Sequence, residues 1–290
     1  MSFELGKKRD RPVLSWKYRL LLITILIFLS SVKINAQVTK MDSKGIDSLL
    51  KSLPENASPG DKVEYITMLI NIDSSQGLYF EKRGEAYNAM QQDDKALQDF
   101  EKALSLGYSD NNFFALLGFT ASRAGKWARA VMYLTRAITL NPENEMLYAY
   151  RGYAYMTVGD DSLSENDYSI YLKHHQDDAI SWFGLARAQE DLNENDKAII
   201  SFQKAISLDS TNYEAYFNLG MIYGNMKLYA KAIAEFDTTL HFNPNLPYVY
   251  YNRGIAKAKN HLPFCDDFKK CNEMNYTPGV DMYNKFCGGK

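Results

Sequence analysis

The chain has no GxSxG elbow, no P-loop and no HExxH pair, so serine-hydrolase, nucleotide-binding and zinc-protease chemistry have no foothold in it. Beyond residue 36 it has no Lys/Arg cluster. Once the first 36 residues are set aside, 26 basic residues face 33 acidic ones, so the net charge of −2 becomes −7 for the body. An acidic body without a basic patch argues against nucleic acid or an anionic membrane as its ligand. No apolar run reaches the ~18–20 residues that span a bilayer; the longest, from Leu20 to Val32, ends at Lys33. No cysteine lies near the end of that run, which disfavours a bacterial lipoprotein. What is present is 46% hydrophobic and 23% charged residues, enough for a continuous core under a polar surface.

The N-terminus reads as a targeting segment. Lys7, Lys8, Arg9, Arg11, Lys17 and Arg19 precede the apolar run, and Ile34, Asn35, Ala36 and Gln37 follow it. A basic region, an apolar region and small residues in that order predict a secretory signal peptide over 1–36, cleaved after Ala36. An uncleaved anchor is the competing reading, since Ile34 stands where a small residue is usual. Both readings send the body out of the cytoplasm, to the periplasm, the envelope or the medium.

Residues 37–76 lead into the body of the chain. Ile46, Leu49, Leu50 and Leu53 make a short helical stripe that Pro54 ends. Pro59 and Gly60 then make a turn, with Asp61 as the expected N-cap of a helix burying Val63, Ile66, Leu69 and Ile70. These four keep step with the periodic pattern that begins at Gly77, so the segment is either a degenerate capping repeat or an unrelated hairpin.

From Gly77 onward the chain repeats every 34 residues, with units opening at 77, 111, 145, 179, 213 and 247. A small residue recurs at Gly84, Gly118, Gly152, Ala186, Gly220 and Gly254. A second recurs at Ala96, Ala130, Ser164, Ala198 and Ala232, and a large one at Phe100, Leu134, Tyr168, Phe202 and Phe236. The stretch 213–246 shows the unit whole: Tyr216, Leu219-Gly220, Tyr223, Ala232, Phe236 and Pro244. This pattern resembles the tetratricopeptide repeat (TPR). The resemblance implies an all-α, right-handed superhelix of six helix-turn-helix units over 77–276, a solenoid whose units must stack to bury their apolar faces. Unit three departs most, with Ser164 and Tyr171 in small-residue slots. Unit six keeps 14 rather than 16 residues between Gly254 and Phe268, and a helix from Thr277-Pro278, carrying Val280, Tyr283, Phe286 and Cys287 on one face, is expected to cap the array over 277–290.

Cys265 and Cys271 lie six apart on one helix, about 9 Å along its axis and too far to bridge. Cys287 is therefore the common partner. Cys265–Cys287 is the expected disulfide, with Cys271–Cys287 as the alternative.

The resemblance further implies a non-enzymatic scaffold that binds a protein or peptide in a concave groove lined by first helices. Its inward slots fall on Glu81, Glu85 and Asn88; Ala115, Phe119 and Ser122; Ala149, Tyr153 and Met156; Phe183, Arg187 and Glu190; Phe217 and Met221; and Tyr248, Tyr251 and Ile255. Arg187 is the one basic residue among them, so a clamp for acidic peptide tails is not supported. The groove reads as acidic at Glu81 and Glu85 and aromatic beyond, with Trp182, Tyr216 and Tyr250 assigned to packing slots. Assembly of an envelope complex through the ends or outer face is the alternative, and a membrane-anchored sensor a third. No cofactor, small-molecule substrate or metal is expected: His174-His175 reads as a solvated helix end and the paired aspartates as helix caps.

Overall fold

The computed structural model describes residues 57–288, Asn111 excepted. The targeting segment 1–36, the junction after Ala36, the tail 38–44 and the stripe 46–53 with Pro54 lie outside the described residues. Within them there are fourteen α-helices and no strand. The chain divides into two compact units, Met1–Tyr108 and Ser109–Lys290.

The described part of the first unit holds α1 (Pro59–Ile72), α2 (Gly77–Ala89) and α3 (Asp93–Ser105). Pro59 is not a turn residue and Asp61 is not the cap. Ser58 is the N-cap, its hydroxyl accepting from the Asp61 amide at 3.2 Å, and Pro59 opens the helix, where its fixed φ suits and no amide is needed. Asp61 sits in the first turn instead. Tyr65, Ile66, Leu69 and Ile70 are the buried residues of α1, so its inner face turns toward Tyr65 rather than Val63.

The second unit runs α4 (Phe113–Arg123), α5 (Trp127–Leu140), α6 (Met146–Val158), α7 (Asp161–Tyr171), α8 (Ala179–Asp191), α9 (Asn195–Leu208), α10 (Tyr213–Asn225), α11 (Tyr229–Phe242), α12 (Pro247–Lys259), α13 (Cys265–Glu273) and α14 (Thr277–Phe286). Six turns between paired helices carry a residue at positive φ, each 34 positions from the last: Gln91, Gly125, Gly159, Asn193, Lys227 and His261. The left-handed residue lets the chain reverse directly after a helix end.

The core follows the repeat. Ala96, Ala130, Ser164, Ala198 and Ala232 are fully buried where paired helices approach, and Phe100, Leu134, Phe202 and Phe236 fill the space beside them. In unit five a Cβ on Gly220 would lie 2.6 Å from the Phe236 ring, which is why that slot is glycine. Unit three breaks the rule. Tyr168 reaches forward, so that its hydroxyl lies 2.6 Å from where a Cβ on Gly184 would be, in the first helix of the next unit. The glycine of unit four has moved two places, from slot 186 to 184, to admit that ring.

Three units replace the leucine before the glycine with arginine. Arg83 grips Asp99 with Nε and Nη2, both at 2.7 Å, and reaches Thr67 in the preceding helix with Nη1 at 3.1 Å. Arg151 does the same to Asp167 at 2.7 and 2.8 Å and to Thr135 at 3.1 Å. Arg253 binds Asp267 and Asp237, the shortened turn of unit six moving the aspartate from 16 to 14 residues away. Each guanidinium lies over neighbouring rings: Phe80 and Tyr87, Tyr148 and Tyr155, and Tyr250. A bidentate fork therefore ties one first helix to its own second helix and to the one before.

At the C-terminal end Cys265 and Cys287 are joined, with Cα atoms 5.7 Å apart. Cys271 is a buried free thiol whose Sγ donates to the Pro247 carbonyl at 3.4 Å, and burial pushes its pKa up to about 11. α14 can sit this close because Gly279 faces Cys271: a Cβ there would stand 2.6 Å from the sulfur. Two expectations for this cap need correction: Thr277 as the N-cap with Pro278 as the first helical residue, and Phe286 on the apolar face. Helix α14 begins at Thr277 itself, after Tyr276, and takes no side-chain cap. Phe286 is exposed, with the Lys285 ammonium 5.1 Å from its ring, and Cys287 beside it is tied back to Cys265.

Candidate functional site

The inward slots separate into three environments. In the first unit Glu81 and Glu85 are not an open acidic surface. Glu81 is only 4% exposed. Lys82 Nζ lies 3.2 Å from its Oε2, donates a long hydrogen bond to its Oε1 at 3.4 Å, and binds Glu85 at 2.9 Å. Burial, with Glu85 beside it, raises the Glu81 pKa to about 7. Lys82, beside both carboxylates, offsets their charge.

In the second unit Phe183, Phe217, Met221 and Tyr248 are half-buried and pack on the core cluster around Phe202, Leu219 and Phe236. Phe183 meets Phe202 edge-on at 5.6 Å, and Phe217 meets Phe236 at 5.9 Å and Tyr248 at 5.0 Å. Tyr251 leans on Phe268 and Tyr276. The expected split between inward and packing slots does not hold here, since Trp182, Tyr216 and Tyr250 are equally half-buried. A ring at an inward slot is long enough to reach the aromatic of the second helix beneath it, so the same residue both lines and seals. Arg187 is paired with Glu190 at 3.9 Å, and burial raises the latter to about 6. Asn252 is spent on the Tyr248 carbonyl at 2.8 Å.

The third environment is open. Tyr153 is 48% exposed and touches Trp127 edge-on at 5.4 Å; Phe119 lies 4.5 Å from Tyr150. Beside them Met146 and Ile180 occupy the same slot in successive units, and Ile180 is 81% exposed. Met146, Tyr150, Tyr153 and Ile180, with Tyr168 and Tyr171 below, line an open pocket of about 310 Å³ between α6 and α8. Asp178 stands at its edge as the N-cap of α8, accepting from the amides of Ile180 and Ser181 and from the Ser181 hydroxyl at 2.8 to 3.3 Å.

Just past the end of α7 the His174-His175 pair is solvated, as expected, with side chains 71% and 39% exposed, and both rings meet one acid. His174 Nδ1 and His175 Nε2 lie 2.5 and 3.0 Å from the two oxygens of Glu145, the residue before α6. His175 stacks on Tyr171 at 4.3 Å. The two imidazoles hold the Glu145 carboxylate below its ordinary pKa. Among the described residues no group of His, Cys, Asp and Glu is arranged to hold a metal ion.

Sequence reasoning found Phe119 and Tyr153 but missed Tyr150, Met146, Ile180 and the rings of α7. The available signal was density: six tyrosines fall within 145–178. The second signal was a pair of apolar residues in successive units, Met146 and Ile180, at a slot held by Asn112 before them and Glu214 after them.

A tetratricopeptide-repeat profile matches residues 79–106 and 213–245, and a TPR-repeat profile matches 187–227. This is a tetratricopeptide-repeat protein. The matched stretches lie outside unit three, the TPR unit that carries the pocket. Among curated relatives, tetratricopeptide repeat protein 6 of Homo sapiens is 26% identical over 203 residues, 68% of this chain and 38% of its own length. BBSome complex member BBS4 of Bos taurus is 21% identical over 201 residues, 66% of this chain and 39% of its own. The chain thus spans 38% and 39% of these two TPR relatives. Among solved structures, MamA aligns at TM-score 0.54 and 22% identity, covering 61% of this chain and 95% of that one. YrrB, described as a TPR protein with an unusual peptide-binding site, aligns at 0.55 and 17%, covering 65% and 97%. These structures show the fold, an all-α TPR solenoid.

Proposed function

We propose that this TPR scaffold acts outside the cytoplasm, without catalysis, by holding an extended segment of a partner protein across the first helices of its second unit, centred on the pocket between α6 and α8. The observation that carries the reading is the exposure of Tyr150, Tyr153, Met146 and Ile180 around one pocket, while neighbouring inward aromatics are sealed by their own second helices. Contiguous apolar surface left wet in this way usually marks an interaction site. The TPR relatives supply support by class: BBS4 is named as a member of a complex, and YrrB as having a peptide-binding site. Export rests on the basic and apolar order of residues 1–36. No described helix is long and apolar enough to cross a membrane.

The test is a photo-crosslinking amino acid placed at Tyr153, and as a control at Met132, exposed on the second helix α5, in cells of the native host. Cross-links from position 153 should map by mass spectrometry to one contiguous partner segment, with little yield from 132. Equal yield at both, or yield at 132 alone, sinks the groove reading in favour of the outer face. Intact mass of the protein recovered outside the cytoplasm should begin at Gln37; full-length chain in the membrane fraction would replace the exported form with an anchored one.

A further inference from the structure

The pocket has a chemical bias beyond being apolar. Four tyrosines, Tyr150, Tyr153, Tyr168 and Tyr171, contribute to its lining; Asp178 is the charged residue there, and the lining includes no Lys or Arg. Stretch 145–178 carries seven Asp/Glu against Arg151 and Lys173. Arg151 is consumed by Asp167, and Lys173 does not line the pocket. The Asp178 carboxylate is fixed rather than mobile, since it caps α8.

Each of these selects on charge. Aromatic rings present a negative face and attract an ammonium or guanidinium within about 6 Å, more strongly as water is excluded. A fixed carboxylate at the edge adds a partner for the head group. Met146 and Ile180 give an apolar path along which a long cationic side chain can lay its methylenes. An acidic segment would meet the carboxylates of unit three with no cation to receive it, and a purely apolar anchor would leave Asp178 facing hydrocarbon.

We infer that the pocket between α6 and α8 receives a lysine or arginine side chain, so that the segment bound by this protein is basic. This rests on the groove reading above and deepens it: where the sequence placed the acidic character at Glu81 and Glu85, it is concentrated in unit three.

The experiment uses the full chain and three fluorescein-labelled twelve-residue Gly/Ser peptides that carry arginine, citrulline or leucine at the same three positions, read by fluorescence anisotropy. Citrulline keeps the shape of arginine and removes its charge. The arginine peptide should bind at least tenfold tighter than the other two. Tyr153→Ala and Asp178→Asn should each weaken it at least fivefold, whereas Asp266→Asn, an exposed acid on α13, should change it less than twofold. Asparagine caps a helix as well as aspartate does, so Asp178→Asn removes charge without unravelling α8, and unchanged hydrogen exchange of the α8 amides checks this. If the leucine peptide binds tightest, the pocket is an apolar anchor site; the inference falls while cross-linking at Tyr153 still upholds the groove. If Asp266→Asn weakens binding as much as Asp178→Asn, the attraction is diffuse charge and the pocket assignment is overturned. Absence of binding by the arginine peptide overturns it as well, and only failure of the cross-linking removes the groove reading beneath it.

Discussion

Units three and five lie in the same compact body and solve the same packing problem with different materials. Unit five is apolar: Leu219, Phe236 and Leu240 are buried and Gly220 receives the ring of its own second helix. Unit three places Arg151 and Asp167 where unit two has Leu117 and Tyr133, and Ser164 where the others have alanine, its hydroxyl donating to the Gly152 carbonyl at 2.9 Å. Its tyrosine lies loosely against Gly152, 3.3 Å from where a Cβ would stand, and docks more closely on Gly184. A unit held by a directional fork needs less apolar burial between its helices. Its rings are then available at the surface, and the pocket appears there rather than in unit five. A buried ion pair is weak evidence for stability, since an apolar pair of similar volume often does as well; what it imposes is intolerance to losing one partner.

The largest effect should come from breaking that fork. Asp167→Ala leaves the Arg151 guanidinium without its carboxylate and should cost about 3–5 kcal/mol, read as lost hydrogen-exchange protection in α6 and α7. The double change Arg151→Leu with Asp167→Tyr, which imports the pair of unit two, should recover most of that loss. If the double variant is as damaged as the single one, the two units are not interchangeable solutions.

The two classes of inward aromatic come next. Phe217→Ala removes a ring sealed against Phe236 and Tyr248 and should destabilise by roughly 2–4 kcal/mol. Tyr153→Ala should change stability by less than about 1 kcal/mol while weakening partner binding by ~1–3 kcal/mol. Thermal melts beside binding titrations separate them, and equal melting shifts would erase the distinction between sealed and open rings.

Gly184→Ala sharpens the difference in ring direction. It sets a methyl against Tyr168 and should cost about 1–3 kcal/mol through overpacking. The loss of protection should spread to both α7 and α8, which belong to different units. Gly220→Ala, by contrast, should loosen α10 and α11, the two helices of one unit. Confinement of the Gly184→Ala effect to α8 would contradict the forward reach of Tyr168.

The smallest effect sets a buried carboxylate that has a guanidinium, Asp167, against one that lacks it, Glu81. The Glu81 pKa is raised in the folded state from 4.5 to about 7. Between those values the folded chain holds more of a proton than the unfolded chain, so stability falls as pH rises through that window. The first unit should lose on the order of 2 kcal/mol between pH 4.5 and 8, and Glu81→Gln should flatten the dependence. Urea midpoints followed by exchange of α2 amides would show it; a midpoint that rises over this window would refute the sign.

The fold class was legible because the repeat is redundant: Gly220, Ala232 and Phe236 have counterparts at fixed spacing, and one irregular unit cannot hide the phase. The site was legible only in part for the converse reason. A periodic alignment assigns Tyr153 and Phe217 to equivalent kinds of slot, but exposure depends on which ring lies under each, and that varies from unit to unit. Tyr168 and Tyr171 were read only as packing residues because they stand at packing slots, and Tyr150 went unread because its slot is held elsewhere by the polar Lys82, Asn218 and Asn252. The forks went unread although Arg83-Gly84, Arg151-Gly152 and Arg253-Gly254 share a phase, because a charged residue beside a core glycine looks like noise until its aspartate is seen opposite.

The bond between Cys265 and Cys287 gives the second unit a direction. In a stack where each hairpin touches its neighbours, melting begins at an end and travels inward, since an end hairpin has one interface to lose rather than two. A crosslink spanning 22 residues closes the last two helices into a loop and should remove about 3 kcal/mol of unfolded-state freedom there. Under oxidising conditions α13 and α14 should therefore be the last helices of this body to part, so that Tyr251 and Phe268 stay together after Trp127 and Tyr153 have separated. Reduction removes that hold, and the C-terminal helices lose their place as the last to part.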